Sequence, residues 1–119
     1  MIQAYVDSEH RLSMEMYQRS ADVFLGLPFN IASTSLLCHI IAQLCGLDVG
    51  VVGITIGDAH IYECHVGACN EQLQRESYPL CNLKMKPFDS LEQVEQSGLD
   101  DFTLHHYSHH PPIRAKMVA

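Results

Sequence analysis

The sequence predicts an α+β fold in which a mixed sheet packs against one long buried helix. Residues 2–6 form a strand-like apolar run, and residues 12–17 alternate between apolar and polar side chains. After Pro28 the period changes to that of a helix, because apolar residues recur at helical spacing at positions 36, 37, 40, 41 and 44. A second apolar, β-rich run at residues 49–56 completes the pattern.

The remaining elements follow in chain order. The polar residues 7–10 predict a turn, so that residues 2–17 form a hairpin feeding a sheet. Pro28 near the start and Gly46 just past the end bound the helix. Gly50 and Gly53 predict bulges or close backbone approach in the next strand, which Ile61 and Tyr62 could extend. Further predictions are a helix at 65–76, strands at 80–85 and 102–107, and a loop at 88–98.

Composition bounds the class of protein. With 119 residues, 47% hydrophobic and 18% charged, the chain is one globular domain or less. A net charge of -7 argues against a DNA or RNA binder, which would present a basic face. No apolar stretch reaches the 18 or so residues that span a membrane. Five cysteines without a C-x-x-C pair indicate reduced thiols and a cytoplasmic setting.

Three short blocks carry residues suited to ligand chemistry. In the first, the Arg19 guanidinium beside Ser20 could hold a phosphate, or form a surface pair with Asp22. In the second, the Asn30 carboxamide could accept from a pyrimidine N3–H and donate to O4, as uracil requires, or cap the helix. In the third, His60 and Tyr62 could grip a sugar hydroxyl, or simply lie on a half-exposed strand.

Other clusters predict less. Neither His105, His106, His109 and His110 nor Cys64, His65 and Cys69 has metal-ligand spacing, so no metal site is predicted. No nucleophile–base motif and no Gly-rich phosphate loop is present.

Taken together, the blocks resemble a known family. The run YQRSADVFLGLPFNIAS at 17–33, GDAHIY at 57–62 and the end from His110 to Ala119 are similar to thymidylate synthases. The resemblance implies that residues 1–119 are the C-terminal portion of a single thymidylate synthase-like domain, with an α+β fold incomplete at its N-terminal side. It also implies a homodimer, or association with a separate N-terminal half.

The resemblance assigns roles position by position. Arg19 and Ser20, with Gln18 beside them, would hold the phosphate of dUMP, and Asn30 would read the uracil. His60 and Tyr62 would bind the deoxyribose, and Ala21 and Ile61 lie within the same dUMP-binding blocks. Asp22 would serve both dUMP and the co-substrate 5,10-methylenetetrahydrofolate, for which Gly26 and Val118 would supply further contacts.

The same resemblance places the nucleophilic cysteine before Met1, in a Pro-Cys-His segment that this sequence does not contain. We therefore expect no catalytic residue here and no synthase activity from this chain alone, because a thiolate must add to C6 of the uracil. The alternatives are a non-catalytic nucleotide-binding or partner-binding remnant, and a piece of a dUMP hydroxymethylase.

Overall fold

The structure, a computed structural model, describes residues 1–118 and confirms a mixed α and β architecture. A three-stranded sheet has the order β1-β2-β3, formed by Ile2–Val6, Arg11–Asp22 and Asp48–His60. Helix α1, Leu27–Cys45, connects β2 to β3 and packs on one face of that sheet. A separate hairpin pairs β4, Asn82–Met85, with β5, Phe102–His105.

The predicted N-terminal hairpin is confirmed. Strands β1 and β2 pair antiparallel from Ile2 opposite Met16 to Val6 opposite Leu12. The turn between them is organised by the Asp7 carboxylate, which accepts hydrogen bonds from the backbone N–H groups of Glu9 and Arg11. The backbone N–H and the guanidinium of Arg11 hold the pKa of Asp7 below its usual range.

Strands β2 and β3 pair in parallel, so their carboxyl ends lie at the same edge of the sheet. The register shifts between Leu12 and Met14, where β3 carries one extra residue. The predicted close approach of glycines is also confirmed: a Cβ at Gly50 would lie 3.0 Å from the Leu12 carbonyl oxygen. A side chain there would collide with the neighbouring strand.

Helix α1 has the predicted bounds. Pro28 lies in its first turn, and Gly46 ends it in the left-handed conformation at φ 65°. The buried face consists of Thr34, Cys38 and Ala42, and Cys38 and Ala42 join Leu12 and Met14 in the core. The larger apolar residues that predicted the helix are half-buried or, like Leu37, exposed, because the sheet covers one side of the helix only.

By length and composition alone, α1 could cross a membrane. This is weak support for a membrane span, since the core helix of a globular protein passes the same test.

Three details of the prediction are corrected. The segment 88–98 is not all loop, because Leu91–Glu95 forms the short helix α3, whose first turn is capped by Ser90. Strand β3 ends at His60, so Ile61 and Tyr62 do not extend it. The helix predicted at 65–76 is shorter: a turn of 3-10 helix, Glu63–His65, leads into α2, Val66–Leu73.

The terminal segment, residues 106–118 after β5, runs back along α2. The Arg75 guanidinium donates to the Pro111 carbonyl, and the His110 ring donates from Nε2 to the Glu76 carbonyl over 2.8 Å. These contacts return the end of the chain to the edge of the sheet where β2 and β3 finish.

Candidate functional site

Two of the three sequence blocks meet at the carboxyl ends of β2 and β3. Asp22, the last residue of β2, stands opposite His60, the last residue of β3. The next amide along the chain, that of Val23, donates to the His60 carbonyl over 2.9 Å. Residues 38 positions apart in sequence therefore lie side by side.

The block on α1 is joined to β2 by a pair of carboxamides. Gln18 Nε2 donates to Asn30 Oδ1 over 3.1 Å and to the Ser20 carbonyl over 3.0 Å. The helix cap is Gly26, and Asn30 lies one turn inside the helix, where its N–H donates to the Gly26 carbonyl. The capping interpretation of Asn30 was therefore wrong.

Gln18 keeps an unused acceptor. Its Oε1 atom is buried and accepts no hydrogen bond from any of the residues 1–118. Since buried polar atoms are nearly always paired in folded proteins, this oxygen is suited to receive a donor from a bound molecule or from another segment.

Arg19 and Ser20 occupy consecutive positions of β2. Successive side chains of a strand point to opposite faces, so the two lie on different sides of the sheet, Ser20 half-buried and Arg19 exposed. Within the described part of the chain, no carboxylate forms an ion pair with Arg19, so the surface pair with Asp22 is not formed. Ala21, the next residue of β2, is buried, with 3% of its surface exposed.

Asp22 organises the turn from β2 into α1. Its Oδ1 accepts from the N–H groups of Phe24 and Leu25, at 3.0 and 3.3 Å. Its backbone carbonyl accepts from the Gly26 N–H over 3.0 Å, and a Cβ at Gly26 would lie 3.1 Å from that oxygen. One carboxylate oxygen of Asp22, Oδ2, remains outside these turn contacts.

The third block forms an aromatic pair. The rings of His60 and Tyr62 are 5.2 Å apart and nearly perpendicular, in an edge-to-face contact. His60 Nδ1 lies 3.5 Å from an Asp58 carboxylate oxygen but is buried without a hydrogen bond from the described residues. Ile61, between them, is 48% exposed.

His65 was considered in sequence only as part of a metal cluster, and the structure gives it a different place. It is fully buried, with its ring 5.6 Å from that of Tyr62 and 5.5 Å from that of Phe24. Its Nδ1 lies 3.9 Å from Asp22 Oδ1, and its Nε2 lies 2.8 Å from the Lys116 carbonyl. No sequence pattern signalled this contact, because its partners are 43 and 51 residues away.

The Lys116 contact brings the chain end to the site. Val118, 40% exposed, follows two residues after the bonded carbonyl. Ala119, the last residue of the matched terminal segment, lies outside the described residues.

Within residues 1–118, neither the histidines at 105–110 nor Cys64, His65 and Cys69 form a group of three potential metal ligands. The five cysteines are free: Cys38 is buried, Cys45 and Cys64 are exposed, and Cys69 and Cys81 are intermediate. Burial raises the pKa of the Cys38 thiol, which disfavours the thiolate form.

Comparison with known proteins agrees with these blocks. A family model described as thymidylate synthase matches residues 1–119. A thymidylate synthase of Francisella tularensis subsp. holarctica (strain FTNF002-00 / FTA) is 47% identical over 117 residues. That alignment covers 98% of this chain and 42% of the relative, so the chain spans less than half the length of the curated relative that it matches.

Proposed function

Because the chain belongs to the thymidylate synthase family, we propose that it supplies the dUMP- and folate-binding part of a synthase that methylates dUMP to dTMP. The co-substrate would be 5,10-methylenetetrahydrofolate. The observation that carries the proposal is the parallel pairing of Asp22 with His60, which gathers residues of separate blocks at one edge of the sheet.

The base would be read by Asn30. Its Oδ1 has two lone pairs, one of which accepts from Gln18, so the other remains for the N3–H of uracil. Its amino group is then directed to donate to O4. Cytosine presents the reverse pattern at both atoms, so the site is suited to dUMP rather than dCMP.

The sugar and phosphate would lie along the same edge. His60 and Tyr62 carry adjacent donor and acceptor groups suited to the deoxyribose hydroxyl. Arg19 is exposed and free of an acidic partner among residues 1–118, so its guanidinium is available to a phosphate. Ser20 lies on the other face of the strand, so its hydroxyl would reach the same phosphate only if the nucleotide wraps the strand edge.

The folate would lie over the β2–α1 turn. Asp22 Oδ2, which takes no part in the turn contacts, can accept from an amino or N–H group of a pterin, and Gly26 allows the tight turn that carries this carboxylate. Val118 is exposed and follows the Lys116 carbonyl that His65 contacts, so it could close over the ligand.

We propose that the nucleophile comes from sequence outside these 119 residues. The methyl transfer needs a thiolate that adds to C6 of the uracil and makes C5 nucleophilic. Cys38 is buried with a raised pKa, which makes it unsuited to this step. None of the other four cysteines matches the position of the family's nucleophile. The chain covers only 42% of its relative, so the nucleophile would lie in the part that is not covered.

The open face of the sheet supports a homodimer. Helix α1 covers one face, whereas the other presents exposed Tyr5, Tyr17 and Val51. Exposed apolar side chains set among the polar Gln3, Ser13 and Glu15 are suited to an interaction site. We propose that a second copy covers it in a cytoplasmic enzyme, and a well-behaved monomer in sedimentation would contradict this.

Two measurements test the function. Calorimetry of the purified chain with dUMP measures the proposed nucleotide site, and an isotope-release assay measures turnover before and after mixing with the N-terminal portion of a synthase. We expect turnover only in the mixture. Turnover by the chain alone would overturn the assignment of the nucleophile, and dUMP binding without turnover in any mixture would favour a non-catalytic remnant. Formation of the hydroxymethylated nucleotide would identify the hydroxymethylase alternative.

A further inference from the structure

His65 links three parts of the molecule that are remote in sequence. Its fully buried ring contacts the β2–α1 turn at Phe24, the sugar-side ring of Tyr62 and the terminal segment at Lys116. Within residues 1–118, it is the largest side chain that is fully buried. A polar ring buried to this extent is costly unless its nitrogens are used.

The hydrogen bond to Lys116 fixes the direction of the ring. A carbonyl oxygen only accepts, so His65 Nε2 must carry the proton and donate over 2.8 Å. Nδ1 then faces Asp22 Oδ1 at 3.9 Å, without a hydrogen bond from the described residues. Asp22 Oδ1 is already occupied by two backbone N–H groups, so the ring is packed beside the carboxylate rather than bonded to it.

The bond acts close to the chain end. Lys116 is itself exposed, and the residues that follow it, Met117 and Val118, are exposed as well. Apolar packing therefore holds these last residues only weakly. Among the described residues, the hydrogen bond from His65 to the Lys116 carbonyl ties this end of the terminal segment to the site.

We propose that His65 is a positioning residue that holds the last residues of the chain over the β2–α1 turn, where the folate would bind. This rests on the proposed function for its ligand, but the anchoring itself is a property of the chain alone. Losing the Nε2 donor would free residues 116–118 without unfolding the sheet, while the contacts of Pro111 and His110 hold the earlier part of the segment. In the enzyme, this loss would weaken folate binding and leave dUMP binding unchanged.

Trypsin offers a direct readout, because it cleaves after Lys116, at the carbonyl that His65 holds. The His65→Phe variant keeps an aromatic ring against Phe24 and Tyr62 but removes the donor. The His65→Gln variant loses the ring but places an amide N–H near the position of Nε2. Release of residues 117–119 is followed by mass spectrometry, with cleavage after Lys84 in β4 as the measure of general opening.

We expect cleavage after Lys116 to accelerate about tenfold in His65→Phe, the size of one lost buried hydrogen bond, and to stay near the wild-type rate in His65→Gln. Cleavage after Lys84 should be unchanged in both. A matched control is His110→Phe, which removes a similar ring-to-carbonyl bond, to Glu76, further from the chain end. It should not reproduce the selective release of residues 117–119.

Equal acceleration after Lys84 and Lys116 in His65→Phe, or none after Lys116, would overturn the anchoring role. The wild-type protein gives a second test that needs no variant: nitrogen chemical shifts of the His65 ring should show the proton on Nε2. A ring protonated on Nδ1 alone would contradict the bond to Lys116.

The functional consequence is measured in the mixture with the N-terminal portion of a synthase. His65→Phe should raise the KM for the folate severalfold and leave the KM for dUMP unchanged, and His65→Gln should restore it. An unchanged folate KM in a variant whose terminal segment is released would overturn the positioning role. Failure of the proposed function is distinguishable, because the wild-type mixture itself would then show no turnover.

Discussion

Gln18 donates a hydrogen bond from Nε2 to Asn30 Oδ1 over 3.1 Å, so a residue of β2 sets the orientation of a carboxamide on α1. This bond decides which end of Asn30 is the acceptor. The specificity that we propose for the base therefore depends on two residues of different elements rather than on one.

The Asn30→Asp variant tests this specificity. A carboxylate only accepts, so it loses the donor to O4 of uracil and, when protonated, presents a pattern closer to what cytosine requires. We expect dUMP affinity to fall about tenfold or more, as for a lost buried hydrogen bond, while dCMP affinity rises. Calorimetry measures both. Asn70→Asp on the exposed face of α2 makes the same chemical change away from the site and should alter neither.

The Tyr62→Phe variant tests the sugar contact. It removes the phenol oxygen and keeps the ring against His60 and His65. We expect a loss of about 1 kcal/mol in dUMP binding, the usual net value of one hydrogen bond. An analogue lacking the 3′-hydroxyl should bind wild type and variant equally. If the variant weakens both ligands alike, Tyr62 does not contact that hydroxyl. Tyr78→Phe, whose ring stacks on His110, is the matched control.

Gly57→Ala should destabilise the sheet. A Cβ there would lie 2.9 Å from the Arg19 carbonyl oxygen and 2.8 Å from the Tyr17 hydroxyl. The backbone oxygen cannot move without disturbing the β2–β3 pairing, so we expect a loss of about 1–3 kcal/mol in the free energy of unfolding. Urea denaturation measures it.

The control for that substitution is Gly67→Ala in α2, where no atom lies within 4 Å of the added Cβ. Alanine favours a helix over glycine by about 1 kcal/mol, so this variant should be neutral or more stable. Equal losses in both variants would show that the close approach at Gly57 is not the cause.

Cys38 should be the slowest cysteine to react. Its pKa is raised by burial, so less thiolate is present near neutral pH, and the surrounding core excludes the reagent. Labelling with iodoacetamide followed by mass spectrometry should modify Cys45 and Cys64 first and Cys38 only on unfolding. Modification of Cys38 at the rate of Cys64 would contradict its burial in the folded chain.

The turn at Asp7 should weaken in acid. The pKa of Asp7 is lowered in the folded state by the Arg11 backbone N–H, and further by its guanidinium and the Glu9 N–H. Such a group stabilises the fold above its unfolded pKa, and the contribution is lost as the pH falls below about 4. The protection of the Glu9 and Arg11 amides against hydrogen exchange, corrected for the intrinsic exchange rate at each pH, should fall there. In Asp7→Asn this pH dependence should disappear. The control is Asp48→Asn, at an exposed position of β3, which should retain the pH dependence.

Much of the fold was predictable because its signals are local. Alternation along residues 12–17 and helical spacing with Pro28 and Gly46 at the ends each depend on neighbouring residues. The short helix α3 was missed because its five residues contain too few apolar positions to show a period. The parallel pairing of β2 with β3 has no local signature and depends on the packing of α1.

The candidate site could be proposed from sequence only as separate blocks of residues, whose ligand-binding roles stay predictions. Its residues were found as blocks, but the bond between Gln18 and Asn30 and the burial of His65 depend on contacts between residues 12 to 51 positions apart. The cap interpretation of Asn30 failed because Gly26 starts the helix one turn earlier. A histidine has no sequence feature that tells a buried ring from an exposed one.

The single extra residue of β3 near Met14 has an effect at a distance. From that point the two strands stay in step for eight residues, about 26 Å, to Asp22 and His60. If the same two strands paired without this register shift, Ala59 would stand opposite Asp22, and the His60 imidazole would turn to the reverse side of the sheet. An insertion of one amino acid in β3 beyond this point would thus take the His60 imidazole out of line with Asp22 while leaving every side chain of the candidate site in the sequence.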